Sequence, residues 1–151
     1  MPARLLLSMD DLARLVAGGL RGRGRDVACR ADGGAVLIDL LGVRMTEWLP
    51  RVDVPVRLSW SLAVEKRRLR IDARVRLGGL ASLLLVPGQH LGGGRLAIDA
   101  LIAALALGPA VVARDNTGVE LDLARLPGWR LTHLMIQGGA DPGVLALLEP
   151  D

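Results

Sequence analysis

Only His90, His133 and Cys29 supply imidazole or thiol chemistry in this 151-residue sequence. Nucleophilic catalysis needs a nucleophile, a base and an orienting acid within hydrogen-bond reach, and no serine or cysteine spacing suggests that arrangement beside either histidine. One cysteine can form neither an internal disulfide nor a cysteine zinc site. In the run 129–137, His133 falls in phase with Trp129, Leu131 and Met135, which points it toward the core as a hydrogen-bonded structural residue. Cys29 reads as a small buried hydrophobe in a strand. Two carboxylates are more informative: Asp39, set within Val36 to Leu41, and Asp99, set among leucines, isoleucines and alanines. A carboxylate in apolar surroundings must be paired or take up a proton. Arg95, one helical turn before Asp99, is its expected partner. No residue pattern asks for a metal or a cofactor, and the chain reads as a non-enzyme.

Anion chemistry has more raw material. Of the 19 basic residues, 18 are arginine. Residues 1–76 hold 15 basic and 9 acidic side chains (+6), whereas residues 77–151 hold 4 and 7 (−3), so the first half owns the positive charge. The Arg-Gly-Arg-Gly-Arg run at 21–25 and the stripe Arg57, Arg67, Arg68, Arg70, Arg74 and Arg76 can grip phosphates of a nucleic acid or of an anionic membrane surface. The same stripe also serves as the solvated face of a sheet whose other side is buried. Trp48, Trp60 and Trp129 are the only aromatic residues, which leaves almost nothing for base stacking and makes nucleic acid the less favoured partner. Gly88-Gln89-His90-Leu91-Gly92-Gly93-Gly94-Arg95 could cradle an anion on backbone amides, but it lacks the spacing and Lys-Ser/Thr ending of a phosphate loop. It reads as a mobile connection.

The elements that must position these groups follow from periodicity. Ser8 before Met9-Asp10-Asp11 is a helix N-cap with acidic residues in the first turn. Met9, Leu12, Leu15, Val16 and Leu20 fall at helical spacing, and Gly18-Gly19 are expected to end the helix. Residues 27–31 and 35–45 form a hairpin about Asp32-Gly33-Gly34. Val52, Val54, Val56, Leu58, Trp60, Leu62 and Val64 then alternate with smaller or polar residues, and Pro55 places the start of that strand at an edge or bulge. After a turn at 65–68, Leu69, Ile71, Ala73, Val75 and Leu77 alternate strictly with arginines and Asp72. A short apolar run at 80–86, the glycine-rich loop at 87–94 and a nearly all-apolar helix over 95–107 come next. A hairpin around 116–118 and closing strands at 129–137 and 144–149 complete the order.

The stretch 96–113 approaches the length of a membrane span, but Asp99 would cost about 2.5–3.5 kcal/mol at the bilayer centre and Gly108-Pro109 interrupts it. Nor does Leu5-Leu6-Leu7 match a secretory signal. A cytoplasmic protein is expected, with peripheral contact at the inner membrane as an option.

The capped first helix, the strand Leu69-Arg70-Ile71-Asp72-Ala73-Arg74-Val75, the helix at 95–107 and the segment Gly118-Val119-Glu120-Leu121-Asp122-Leu123 with Leu126-Pro127 together resemble the tubular lipid-binding (TULIP) superfamily, in particular short bacterial phospholipid-binding proteins of the LmeA type. The resemblance implies one domain over 1–151, of α+β class, in which a curved, strongly twisted antiparallel sheet wraps a hydrophobic helix and leaves an apolar groove. It carries no catalytic signature.

The composition points the same way, because 31 leucines with neither Phe nor Tyr make an aliphatic, repackable interior. The expected function is non-enzymatic binding or carriage of a lipid or other hydrophobic small molecule. The groove candidates are Leu58, Trp60, Leu62, Ile71, Val75, Leu84, Ile98, Leu101 and Leu105, and the anion candidates are Arg57, Arg70, Arg74, Arg76 and Arg95. Two alternatives stay open: a homodimerisation module using the apolar strand faces, and a basic nucleic-acid binder.

Overall fold

Leu5, Leu6 and Leu7 show no alternation, yet they lie in a strand that the periodicity misses. The computed structural model describes residues 3–24, 26–44, 51–75, 87–115, 117–126 and 128–150. Strand β1 (Ala3–Ser8) leads directly into helix α1 (Met9–Leu20). Ser8 caps the helix as expected: its hydroxyl accepts from the Asp11 amide at 3.1 Å, with Asp10 and Asp11 in the first turn. Gly18 and Gly19 do not end it. The helix runs to Leu20 and stops at Arg21, whose backbone is left-handed. Gly19 has a different task, since a Cβ built there would lie 2.0 Å from the Ala100 carbonyl oxygen of the second helix.

Strands β2 (Asp26–Asp32) and β3 (Ala35–Val43) form the expected hairpin. Strands β4 (Val52–Ala63) and β5 (Arg68–Val75) form the amphipathic ribbon, in uninterrupted register from Val56↔Val75 to Ala63↔Arg68. Pro55 pairs with Asp39, and a bulge in β3 between Leu40 and Val43 lies opposite the start of β4. Gly42 donates to the Asp53 carboxylate there, and Arg51 donates back to the Gly42 carbonyl, so the irregularity keeps its backbone groups satisfied.

Helix α2 spans Pro87–Ala104 and corrects the reading of a glycine-rich loop followed by a helix at 95–107. Pro87 suits a first helical turn because its φ is preset and its missing N–H would have no intrahelical acceptor. Gly94 lets the helix approach β5 closely, since a Cβ there would sit 3.0 Å from the Ala73 carbonyl oxygen. The helix is apolar nearly all round because it is sandwiched between α1 and the inner face of β4 and β5. The chain leaves it through Ala106, at φ 55°.

A 3-10 turn (Gly108–Ala110) leads to β6 (Val111–Arg114) and β7 (Gly118–Asp122); a second one (Leu123–Arg125) precedes β8 (Trp129–Gln137) and β9 (Gly143–Pro150). The strands form two antiparallel sheets, one of six strands in the order β2-β3-β4-β5-β7-β6 and one of three in the order β1-β9-β8. The class is α+β, and neither sheet closes into a barrel. Val36, Ile38, Leu40, Val54, Val56, Leu58, Leu69, Val119 and Leu121 bury the inner face of the large sheet against α1 and α2. No helix among the described residues is long and apolar enough to cross a membrane.

One parity change in β8 has a local cause. Thr132 is an extra residue between Leu131↔Leu148 and His133↔Leu147, and its hydroxyl donates to the Leu147 carbonyl at 3.1 Å. A bulge shifts every later side chain to the other face. His133 is therefore exposed, not core-facing; its Nδ1 lies 3.3 Å from the Thr132 hydroxyl, and Leu134 and Ile136 turn inward instead.

Candidate functional site

The two sheets and both helices do not meet everywhere. Between them lies a cavity of about 430 Å³ with 21 lining residues, all aliphatic or tryptophan. The large sheet contributes Val36, Leu58, Trp60, Leu69, Ile71 and Leu121; α1 contributes Leu12 and Leu15; α2 and the turn after it contribute Leu101, Leu105 and Leu107. The small sheet supplies the opposite wall through Leu5, Leu7, Leu131, Leu134, Val144, Ala146 and Leu148. Leu5, Leu105 and Trp129 are each about half exposed and mark the side on which the cavity opens.

Strand alternation explains this wall. In β4 and β5 the residues that alternate with Arg57, Arg70 and Arg74 turn toward the helices, which places Leu58, Trp60, Leu69 and Ile71 inside. Trp60 makes a polar contact across the gap: its indole N–H donates to the Leu134 carbonyl at 2.9 Å, linking the large sheet to the small one. No charged side chain lines the cavity among the described residues.

Of the groove candidates, Leu58, Trp60, Ile71, Leu101 and Leu105 come together on this wall. Leu62 packs at the edge of the core, Val75 lies further along β5, and Ile98 is buried on the α2 face beside Val119. Leu84 and Arg76 lie outside the described residues. Sequence reasoning missed the whole contribution of the small sheet. For β8 the bulge hid the phase, and the leucine run of β1 and the unbroken apolar run Val144 to Leu148 of β9 gave no inward and outward sides to tell apart.

The arginines are elsewhere. Arg57, Arg70 and Arg74 project from the outer face of the large sheet, and Arg95 lies on α2, so none of them borders the cavity. Arg57 pairs with Asp32 at 3.3 Å. Arg70 donates to Asp72 at 3.1 Å and to Asp115 at 2.6 Å. Asp115 also accepts from the amides of Thr117 at 2.9 Å and Gly118 at 2.8 Å. The Thr117 amide, the Arg70 guanidinium and the Gly118 amide hold its carboxyl well below the usual range. This network shapes the β6–β7 hairpin and joins it to β5. Asp99 is paired, but with Arg114 of β6 rather than with Arg95 on its own helix. Cys29 packs against the core, and burial, with Asp39 and Asp10 nearby, pushes its thiol up to about 12. It is a poor nucleophile at neutral pH.

Compared with known protein families, with curated proteins and with solved structures, the chain matches none.

Proposed function

We propose that this protein binds a lipid or other hydrophobic small molecule in the cavity between its two sheets, without catalysing a reaction on it. The observation that carries this reading is the lining of the void. The space opens to solvent beside Leu5, Leu105 and Trp129, so its wholly apolar lining faces water, which is unfavourable by roughly 25 cal/mol per Å² of apolar surface. A guest that fills it removes that cost. Burial of an aliphatic tail supplies about 0.8 kcal/mol per methylene without any specific polar contact. In this reading the large sheet curves about α2, as the resemblance to tubular lipid-binding proteins implies, and the arginines of its outer face are left to solvent or to an anionic surface. Native mass spectrometry and organic extraction of freshly purified protein should reveal a bound amphiphile in stoichiometric amount. Protein that carries none and takes up none from an added lipid extract would sink the reading.

A second reading has its own observation. β1 is an edge strand with unbroken register, and Leu5 and Leu6 are exposed on its two faces, whereas the opposite edge, β8, is interrupted by its bulge. A regular apolar edge favours strand addition, here by a second copy of the chain. Light scattering decides it: a dimer converted to monomer by Leu6→Lys supports the reading, and a monomer at all concentrations ends it.

A further inference from the structure

We infer that Arg130 is the head-group site of this cavity, and that the ligand it takes carries an oxyanion, a carboxylate or a phosphate, on its aliphatic part. The inference rests on the cavity being a ligand site and names what the polar end of that site recognises. Strand β8 starts at the opening. Trp129, its first residue, is about half exposed there, and Trp129 and Leu131 both line the wall. Arg130 stands between them, and its Nε is buried with no hydrogen-bond partner among the described residues. Alternation starts this side chain on the other side of the strand from Trp129. β8 is an edge strand, however, so no strand pairs beyond it and a long aliphatic stem can pass round the edge to the rim. A guanidinium standing straight out in solvent would keep its Nε wet. The buried Nε means that the stem lies against the protein.

A guanidinium stays protonated at every accessible pH, so it cannot relieve an unpaired N–H by giving up the proton. It needs an acceptor. Glu149 is the register partner of Arg130 on β9, but no ion pair joins the two among the described residues. Other arginines next to wall residues are already engaged: Arg125, between Leu123 and Leu126, pairs with Asp122 at 3.7 Å, and Arg4, before Leu5, donates to the Gln137 side-chain oxygen at 3.0 Å. They add positive potential to the rim without leaving such a donor unmet. An oxyanion at the opening would accept from Nε and from a neighbouring guanidinium N–H together, the paired arrangement that arginine offers to carboxylates and phosphates. A neutral head gives the same N–H an acceptor but leaves the charge uncompensated. The rest of the ligand would lie on a wall that holds no charge.

Calorimetric titration with laurate, dodecyl phosphate and monolaurin tests this, because the same tail then carries two anionic heads and a neutral one. The anionic probes should bind about 10–100-fold more tightly than monolaurin, and the preference should shrink as salt is raised. Arg130→Gln should reduce the preference to within about twofold while monolaurin binds as before. Arg130→Lys keeps the charge without the fork and should hold an intermediate preference, which reads the same outcome should the glutamine variant fail to fold. Arg74→Gln removes an equal charge from the outer face of the large sheet and should leave the preference intact. Inorganic phosphate has no tail to bury and should bind at least about 100-fold more weakly than dodecyl phosphate. Equal affinity for the three amphiphiles, a preference that survives Arg130→Gln, one that is lost as fully in Arg130→Lys, or one that Arg74→Gln removes equally would overturn the inference while leaving the cavity a ligand site. A loss of monolaurin in Arg130→Gln as large as the loss of laurate would overturn it too, since Arg130 would then shape the mouth rather than hold the head. Inorganic phosphate binding as tightly as dodecyl phosphate would make Arg130 a free-anion site and not a head-group site. If folded parent protein takes up none of the amphiphiles, the ligand-site reading falls and this one with it.

Discussion

Replacing Ala146 by phenylalanine separates a hollow interior from a solid one by the sign of its effect. Ala146 lies in the middle of β9, in register with Leu5 on one side and Leu134 on the other, and is the smallest side chain on the cavity wall. A benzyl group at this position projects into the void. Full burial of a phenylalanine side chain is worth about 1.5–3 kcal/mol, and ordering its two torsions subtracts part of that, leaving a net gain of about 1–2 kcal/mol. For a chain of this length each kcal/mol moves the melting temperature by about 2–4 °C, so the ligand-stripped variant should melt about 2–8 °C above the stripped parent. In a filled core the same change overpacks and destabilises by about 1–3 kcal/mol. Thermal melts of both proteins after delipidation on a hydrophobic resin give the sign, and titration with a single-chain lipid should show that the variant has lost capacity. A variant that melts lower than the parent would refute the reasoning at its base.

Four other outcomes follow from particular residues. Trp60→Phe removes the donor to Leu134 and leaves a carbonyl without its partner, so urea unfolding should show a loss of about 1–3 kcal/mol; an unchanged midpoint would mean that the two sheets are not held there. Gly19→Ala should lower stability well beyond an ordinary surface change, because its Cβ would meet the Ala100 carbonyl oxygen at 2.0 Å, whereas Gly18→Ala, with open space around it, should be neutral or stabilising; equal effects at the two sites would contradict the close approach of α1 and α2. Cys29 should react with iodoacetamide at pH 8 about a thousandfold more slowly in the folded protein than in urea, since its thiol ionises at about 12 instead of 9. The raised value also means that the stability Cys29 contributes is full below pH 9 and is lost as pH rises from there toward 12, which alkaline unfolding of Cys29→Ala against the parent would register.

Where one face of an element meets water, its period was readable. Val54 to Leu62 and Leu69 to Val75 alternate because arginines, serines and Asp72 hold the wet side, and both strands lie where the alternation put them. Pattern failed where both faces are apolar or where a single residue breaks phase. Leu5-Leu6-Leu7 carries no period to read, so β1 went unseen, and with it the strand that borders the cavity opening. The extra Thr132 moved His133 outward and Leu134 inward, reversing what strict alternation requires. Gly92, Gly93 and Gly94 resemble a loop in isolation, yet they continue a helix, and at Gly94 the missing side chain is what lets α2 approach β5. The cavity itself has no signature in the letters, because a leucine facing a void and a leucine facing another leucine are chosen by the same solvent. Leu58, Trp60, Ile71, Leu101 and Leu105 could be named as apolar and inward, but the space in front of them depends on where the small sheet stops.

The small sheet joins the two extremes of the described chain. Ala3 of β1 is registered with Leu148 of β9, so every other element stands between the two partners in chain order. Closing a loop of that length is entropically the most demanding step available to the fold, and such long-range pairing comes late. The helices and the ribbon can assemble first, with the greasy interior still uncovered. The trough gains its second wall only once β9 stands between β1 and β8, so a change that weakens this one strand removes the whole wall opposite the large sheet.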